Sequence, residues 1–282
     1  MKFLNPDAQV YIPDGSELCT ALRRTTHLGI GAHHDDLEIM AIHGILACYH
    51  QPGMWFSGII VTDGAGSPRG GSYADVTDDE MKLIRIVEQN KAARIGDYAA
   101  QVMLQYPSIA VKDSRHHHLD RDLTSILSET QPDVIYTHNL ADKYPTHVAV
   151  GVRVVKALRS LPKSHQPDKL YGCEVWRGLD WMRDEDKVAL DCSANQDLQS
   201  DLLRVFDSQI SDGKRYDLAA VGRSTANATY YASHDVDNVE RLIFAMDLAP
   251  LIRQPALDIQ SYIAAYIKSF SEDECHLLSS IL

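Results

Sequence analysis

No stretch of this chain approaches the roughly 18 to 20 consecutive apolar residues that a membrane-spanning helix needs, which argues against insertion into a bilayer. Met1 to Asp14 holds no apolar core behind a basic stretch, so a secretory leader is not expected either. Cysteine is scarce: Cys19, Cys48, Cys173, Cys192 and Cys275 are odd in number, widely spaced and never paired as CxxC. That pattern speaks against both a disulfide framework and a thiolate metal cluster, and fits a reducing cytoplasm. Basic residues are also short, with 27 Lys and Arg against 39 Asp and Glu, and the net charge of −12 repels nucleic acid and anionic lipid surfaces. A local basic patch can still hold an anionic small molecule. Internal repeats, low-complexity tracts and any linker long enough to separate domains are lacking too, so residues 1–282 are expected to form one domain. Disorder is excluded by a hydrophobic fraction of 45% beside an ordinary charged fraction of 23%.

Hydrophobic periodicity predicts strands at residues 26–32, 55–62, 98–104, 133–137 and 170–175. Between them, helices are expected from Leu37 to Cys48, from Thr77 to Gly96, from Asp120 to Thr130, and onward from His147. Thr77 followed by Glu80 has the spacing of a capping box, and Asp63 to Gly71 is rich in Gly, Pro and Ser and must be loop. Strands alternating with helices imply an α/β fold, with a mostly parallel sheet between helical layers. The core should cover about 25–175. From about 177 to 282 a C-terminal elaboration is expected, with helical patterns at 195–209, 236–247 and 258–270. Its apolar helices also suit a homo-oligomer contact.

Ligands of such a sheet bind beyond the carboxyl ends of its strands. Three polar clusters fall there: His33-His34-Asp35-Asp36, Asp63 to Arg69, and His138 to His147. A catalytic zinc needs about three His or carboxylate ligands and an open position. His33 at the strand exit, Asp36 on the first helical turn and His147 on a later helix can supply them. Asp35 then points elsewhere and is free to act as a general base. The plainer alternative is that Asp35 or Asp36 only caps the helix. The triplet His116-His117-His118 is a poorer metal site, since adjacent imidazoles in a loop do not converge on one ion unaided.

The run Ala32-His33-His34-Asp35-Asp36-Leu37-Glu38 resembles the AHPDD-type motif of the PIG-L (LmbE-like) zinc deacetylases, and Tyr144-Pro145-Thr146-His147 resembles their second motif. The resemblance covers roughly 25–175 and extends to stretches such as Thr62–Arg69, Gly172–Trp176 and Phe206–Tyr216. It implies a Rossmann-like three-layer sandwich, Zn2+ or another divalent cation on His33, Asp36 and His147, Asp35 as base, and an N-acetylglucosamine-type sugar, glycolipid or related small molecule as substrate. Two positions depart from the family pattern. His34 stands where proline is usual, and Tyr144 stands where the second motif usually begins with histidine. A phenol donates a hydrogen bond to an oxyanion but has an unperturbed pKa of about 10 against about 6.5 for imidazole. Tyr144 is therefore expected in the catalytic pair with Asp35. Two other outcomes stay open: a non-catalytic sugar- or metabolite-binding relative, or an amidase for a larger acyl conjugate. Arg69, His138, Asp142, Arg215 and His234 are the expected substrate contacts.

Overall fold

The computed structural model describes residues 1–211 and 213–282. Its frame is an eight-stranded sheet. The central strands are β2 (His27–Gly31), β3 (Phe56–Thr62), β4 (Ala100–Tyr106), β5 (Val134–His138) and β6 (Lys169–Cys173), which run parallel in the order β4-β3-β2-β5-β6. Every residue of β2, β3 and β4 is buried, as expected of parallel strands covered on both faces.

Alternate side chains feed two apolar layers. Leu28, Ile30, Ile59 and Val102 pack beneath α6 (His117–Thr130) and α7 (Pro145–Ser160), through Leu123, Leu127, Val150 and Val154. Ile60, Phe56 and Met103 face the other way, toward α2 (Asp36–Met40), α3 (Ile42–Cys48) and α4 (Asp78–Ile95). This is the three-layer α/β arrangement expected from the alternation. The capping box of α4 forms in full, with Thr77 accepting from the Glu80 N–H and Glu80 accepting from the Thr77 N–H.

Three expectations need correction. The single helix expected after β2 is two, because the backbone leaves helical geometry at Ala41. The polar lead contributes β1 (Gln9–Tyr11), antiparallel to β4. Residues 236–247, expected helical, contain the strand β8 (Leu242–Asp247), antiparallel to β6 and to β7 (Val188–Asp191). Leu242 to Met246 are all buried, and a short run buried on every side has no periodicity to separate strand from helix. A further helix, α10 (Tyr216–Tyr230), follows in the C-terminal part. The C-terminal elaboration thus widens the sheet as well as adding helices. Among the described residues no helix is long and apolar enough to cross a membrane.

The sheet order reverses direction at β2, which has β3 on one side and β5 on the other. The carboxyl ends of β2 and β5 therefore open into one crevice, the topological switch point where α/β sheets bind ligands.

Candidate metal and active site

Two close approaches place the first cluster. A Cβ on Gly31 would lie 3.0 Å from the Cβ of Asp36, so the missing side chain lets α2 start tight against the strand end. Asp35 sits between them in the left-handed region at φ 85°, which turns its carboxylate away from that of Asp36. Asp36 accepts the His33 N–H at 2.6 Å and so locks the turn. The capping alternative fails for Asp35, whose side chain makes no cap hydrogen bond.

His147 lies in the first turn of α7, with Pro145 at the helix start. Its Nε2 stands 3.0 Å from His33 Nδ1; Asp36 Oδ2 lies 3.5 Å from the His33 nitrogen and Asp36 Oδ1 lies 3.5 Å from the His147 nitrogen. All three donor atoms fall within 4.8 Å of one another. Tetrahedral bonds of about 2.0–2.1 Å hold ligand atoms roughly 3.3 Å apart, so this donor set fits a zinc-sized divalent ion without rearrangement. Two nitrogens and one oxygen suit zinc and its borderline neighbours, and a small shared cradle is the only demand they make.

The surroundings orient these ligands. Asp142 faces His147 Nδ1 at 3.7 Å, which leaves Nε2 turned to the cluster. Asp142 is itself fixed by the N–H groups of Tyr144 at 2.9 Å and Trp176 at 3.1 Å. Burial pushes the Asp142 carboxyl upward, but His147 and those N–H groups outweigh it and hold the pKa at about 2. Burial likewise opposes charge on Asp36 and His147, yet each favours the other's charged form: the carboxyl is held well below its usual range and the imidazole is raised. His138 stacks on His147 at 3.9 Å and accepts the Ala32 N–H at 2.9 Å. Burial and the nearby His147 press its pKa to about 4, so it is a neutral spacer behind the ligands. Asp142→Asn is expected to weaken metal affinity about 10–100-fold, read by chelator competition; unchanged affinity would show that His147 is oriented by its packing alone.

Asp35 is bound differently. Its Oδ2 accepts from Arg85 Nη2 at 2.8 Å, and the same nitrogen donates to the His34 carbonyl. Arg85 is 1% exposed, and its other arm donates to Glu88 at 2.8 Å. Burial lifts the Asp35 pKa to about 6 against the pull of this guanidinium. Arg85 escaped the sequence reading, although a signal existed: Met81, Arg85, Glu88, Gln89 and Ala92 form the buried stripe of α4, and polar residues on such a stripe have internal partners. Gly64 admits the loop to this corner with φ 74°; a Cβ there would meet His34 Nδ1 at 3.0 Å and Arg85 Cγ at 3.1 Å.

A cavity of about 480 Å³ opens over the cluster, lined by His33, Asp35, Asp36, Tyr144, Trp176 and Tyr216 among others. Tyr144 is 43% exposed, stacks on Trp176 at 5.2 Å and meets His33 edge-on at 6.1 Å. Lys214 lies 5.0 Å over the Trp176 ring, so an aromatic and basic wall faces the ligands.

Of the five expected substrate contacts, only Arg215 lines this cavity, and it is paired with Asp217 at 2.8 Å. Arg69 spends its guanidinium on the Ala65 and Ser67 carbonyls and on Asp78, so it braces the Gly-rich loop. His138 is fully buried and Asp142 is 7% exposed, and both stand behind the ligands. His234 is exposed and lies outside the cavity lining. The His116–His118 triplet converges on no ion-sized point, because its ring partners are Tyr106 and each other.

Residues 28–158 match the family model PIG-L, GlcNAc-PI de-N-acetylase. That match runs from β2 to α7 and takes in the crevice that holds the cluster. The uncharacterized deacetylase YaiS of Escherichia coli K12 is 25% identical over 152 residues, which span 53% of this chain and 77% of that protein. A similar fold is found in the N,N'-diacetylchitobiose deacetylase of Pyrococcus horikoshii, with TM-score 0.59, 18% identity and coverage of 84% and 88% of the two chains. It recurs equally in the 4-carboxy-2-hydroxymuconate hydratase GalB of Pseudomonas putida KT2440, with TM-score 0.57, 15% identity and coverage of 79% and 95%. At such identities the likeness speaks for the fold, and the site must speak for the chemistry.

Proposed function

We propose that this protein is a metal-dependent N-deacetylase that hydrolyses the acetamide of an N-acetylglucosamine-type sugar, glycoside or glycolipid. The observation that carries the reading is the convergence of His33 Nδ1, Asp36 and His147 Nε2, with the separate carboxylate of Asp35 open to the same cavity. A divalent cation, when bound by these three residues, supplies Lewis acidity toward the amide carbonyl and acidifies water. Asp35 takes the proton of the attacking water, and its elevated pKa lets it return that proton to the departing amine near neutral pH. Arg85 holds this carboxylate in place from behind. Trp176 and Tyr144 offer flat faces to a sugar ring, and Lys214 and Arg215 at the mouth suit an anionic substituent on it.

Tyr144 supports the same reading as a neutral hydrogen-bond donor to the developing oxyanion. Its ring lies 5.4 Å from that of His147 and lines the same cavity. Tyr144→Phe is expected to lower kcat by about 10²-fold or more while metal content holds, because oxyanion donors act on the transition state. Full activity in that variant would leave Tyr144 as a stacking surface alone.

The direct test is acetate release from a panel of N-acetylated sugars, glycosides and glycolipids by metal-reconstituted protein. Stoichiometric metal together with acetate release supports the proposal. Stoichiometric metal with binding of the same compounds but no acetate would instead favour the binding-protein alternative.

A further inference from the structure

The C-terminal elaboration reaches Asp35 indirectly, through the buried face of α4. Its short helix α9 (Asp207–Ile210) packs on α4, where Arg85 and Glu88 stand one turn apart on the buried stripe. Glu88 Oε1 accepts the Ser208 N–H at 2.7 Å, and Glu88 Oε2 accepts the Ser208 hydroxyl at 2.8 Å. The same Oε2 accepts from Arg85 Nη1 at 2.8 Å, and that nitrogen lies 3.4 Å from the Ser208 hydroxyl. Phe206, just before α9, places its ring 5.3 Å from the guanidinium carbon. One segment of the elaboration thus converges on the residue that holds Asp35.

A guanidinium is a planar fork, and what its nitrogens donate to sets its direction. Arg85 Nε has no partner among the described residues, so the two Nη arms alone aim the fork. Nη2 donates to Asp35 and to the His34 carbonyl, and Nη1 donates to Glu88 and Ser208. Among the described residues, the Glu88 carboxylate accepts only from Arg85 and Ser208. Removing the Ser208 hydroxyl therefore loosens Glu88 and takes an acceptor from Nη1 at once. The fork can then turn, and the carboxylate on its other arm turns with it. A reacting group must be held within about 0.5 Å of its working position, so a small turn matters.

The other contacts of α9 lead to the cavity. Gln209, next to Ser208, lines it and donates from its amide to the Ser208 hydroxyl at 3.1 Å. The Gln209 carbonyl accepts the N–H of Lys214 at 2.9 Å, and Lys214, Arg215 and Tyr216 line the same cavity. We propose that Ser208 and Glu88 are positioning residues for Asp35, which act through Arg85 and tie the cavity wall of the C-terminal elaboration to that carboxylate. The inference rests on the deacetylase reading, which makes Asp35 the base.

The test compares Ser208→Ala and Glu88→Gln with the wild type, each as the metal-reconstituted full chain. Ser208→Ala keeps the N–H donated to Glu88, and Glu88→Gln keeps the side-chain shape while removing the charge that Arg85 faces. One readout is the NMR signals of the Arg85 guanidinium, assigned by their loss in Arg85→Met; the other is the split between kcat and KM for acetate release. The wild type is expected to give separate, slowly exchanging Nη proton signals, and both variants are expected to average them. In both, kcat should fall about 10–10²-fold, the scale of a displacement of up to about 1 Å at a reacting group, while KM and metal content hold. Tyr73→Phe removes the 2.8 Å hydrogen bond that ties Asp207 to Tyr73, and is expected to leave the guanidinium signals and kcat at wild-type values. Unchanged guanidinium signals in Ser208→Ala and Glu88→Gln would overturn the proposal, and so would an equal loss in Tyr73→Phe, which would reduce Ser208 to an anchor for α9. The guanidinium signals require no turnover, so a failure of the deacetylase reading shows in acetate release alone.

Discussion

Asp35→Asn is expected to lower kcat/KM for amide hydrolysis by about 10²–10⁴-fold, the usual contribution of a positioned general base. Asparagine tolerates the left-handed backbone at φ 85° and fills the same volume, so the turn that places His33 and Asp36 survives. Metal content should therefore stay at one ion per chain while turnover disappears, and that split separates a base from a ligand. The pH profile gives a second reading of the same group. Asp35 must be ionised to accept a proton, and burial raises its pKa to about 6, so the rate of the wild-type protein should fall as pH drops through that region. Arg85 favours the ionised form from 2.8 Å away. Arg85→Met removes that help and should move the acid limb to higher pH, whereas a cation bound nearby moves it lower. An acid limb that stays put in Arg85→Met would assign it to another group. Wild-type turnover in Asp35→Asn would end the role proposed for this carboxylate.

His147→Ala should abolish stoichiometric metal binding, an effect larger than the roughly 10–100-fold expected for an orienting residue such as Asp142. His147 supplies one of only two imidazole nitrogens in the cluster, and its Nε2 is 3.0 Å from the other. Added zinc stabilises whichever protein binds it in the folded state, by an amount set by its affinity. The wild type should accordingly melt at higher temperature with zinc than without, and His147→Ala should show no such difference. A zinc-dependent rise of equal size in the variant would place the ion elsewhere and remove the basis of the proposed chemistry. Zinc-dependent stabilisation without acetate release, in contrast, would keep the metal site and redirect attention to Tyr144, the residue that departs most from the family pattern.

Much of this site was legible in the amino-acid sequence. His33 and Asp36 are three residues apart, across a strand exit and a first helical turn, and that spacing alone lets both reach one point. His147 could be paired with them because parallel strands alternating with helices bring all carboxyl ends to one edge. Arg85 was invisible to this logic. Its place on the buried stripe of α4 marks it as needing an internal partner, but that partner, Asp35, lies 50 residues away and nothing local names it. Four of the five expected substrate contacts fall outside the cavity lining for a related reason. A polar residue in a loop after a strand can point into the cleft or back onto its own loop, and Arg69 does the latter because four neighbouring acceptors converge on its guanidinium.

The chain by itself determined what depends on local periodicity and short-range spacing: the parallel core strands, the capped helix α4, and the His33–Asp36 cluster. Only the tertiary structure decided β8, Arg85 and the wall of Trp176 and Tyr144. Each of these is settled by burial against partners remote in sequence, where free energy comes from apolar contact and from pairing charges out of water. Such partners leave no periodic trace along the chain.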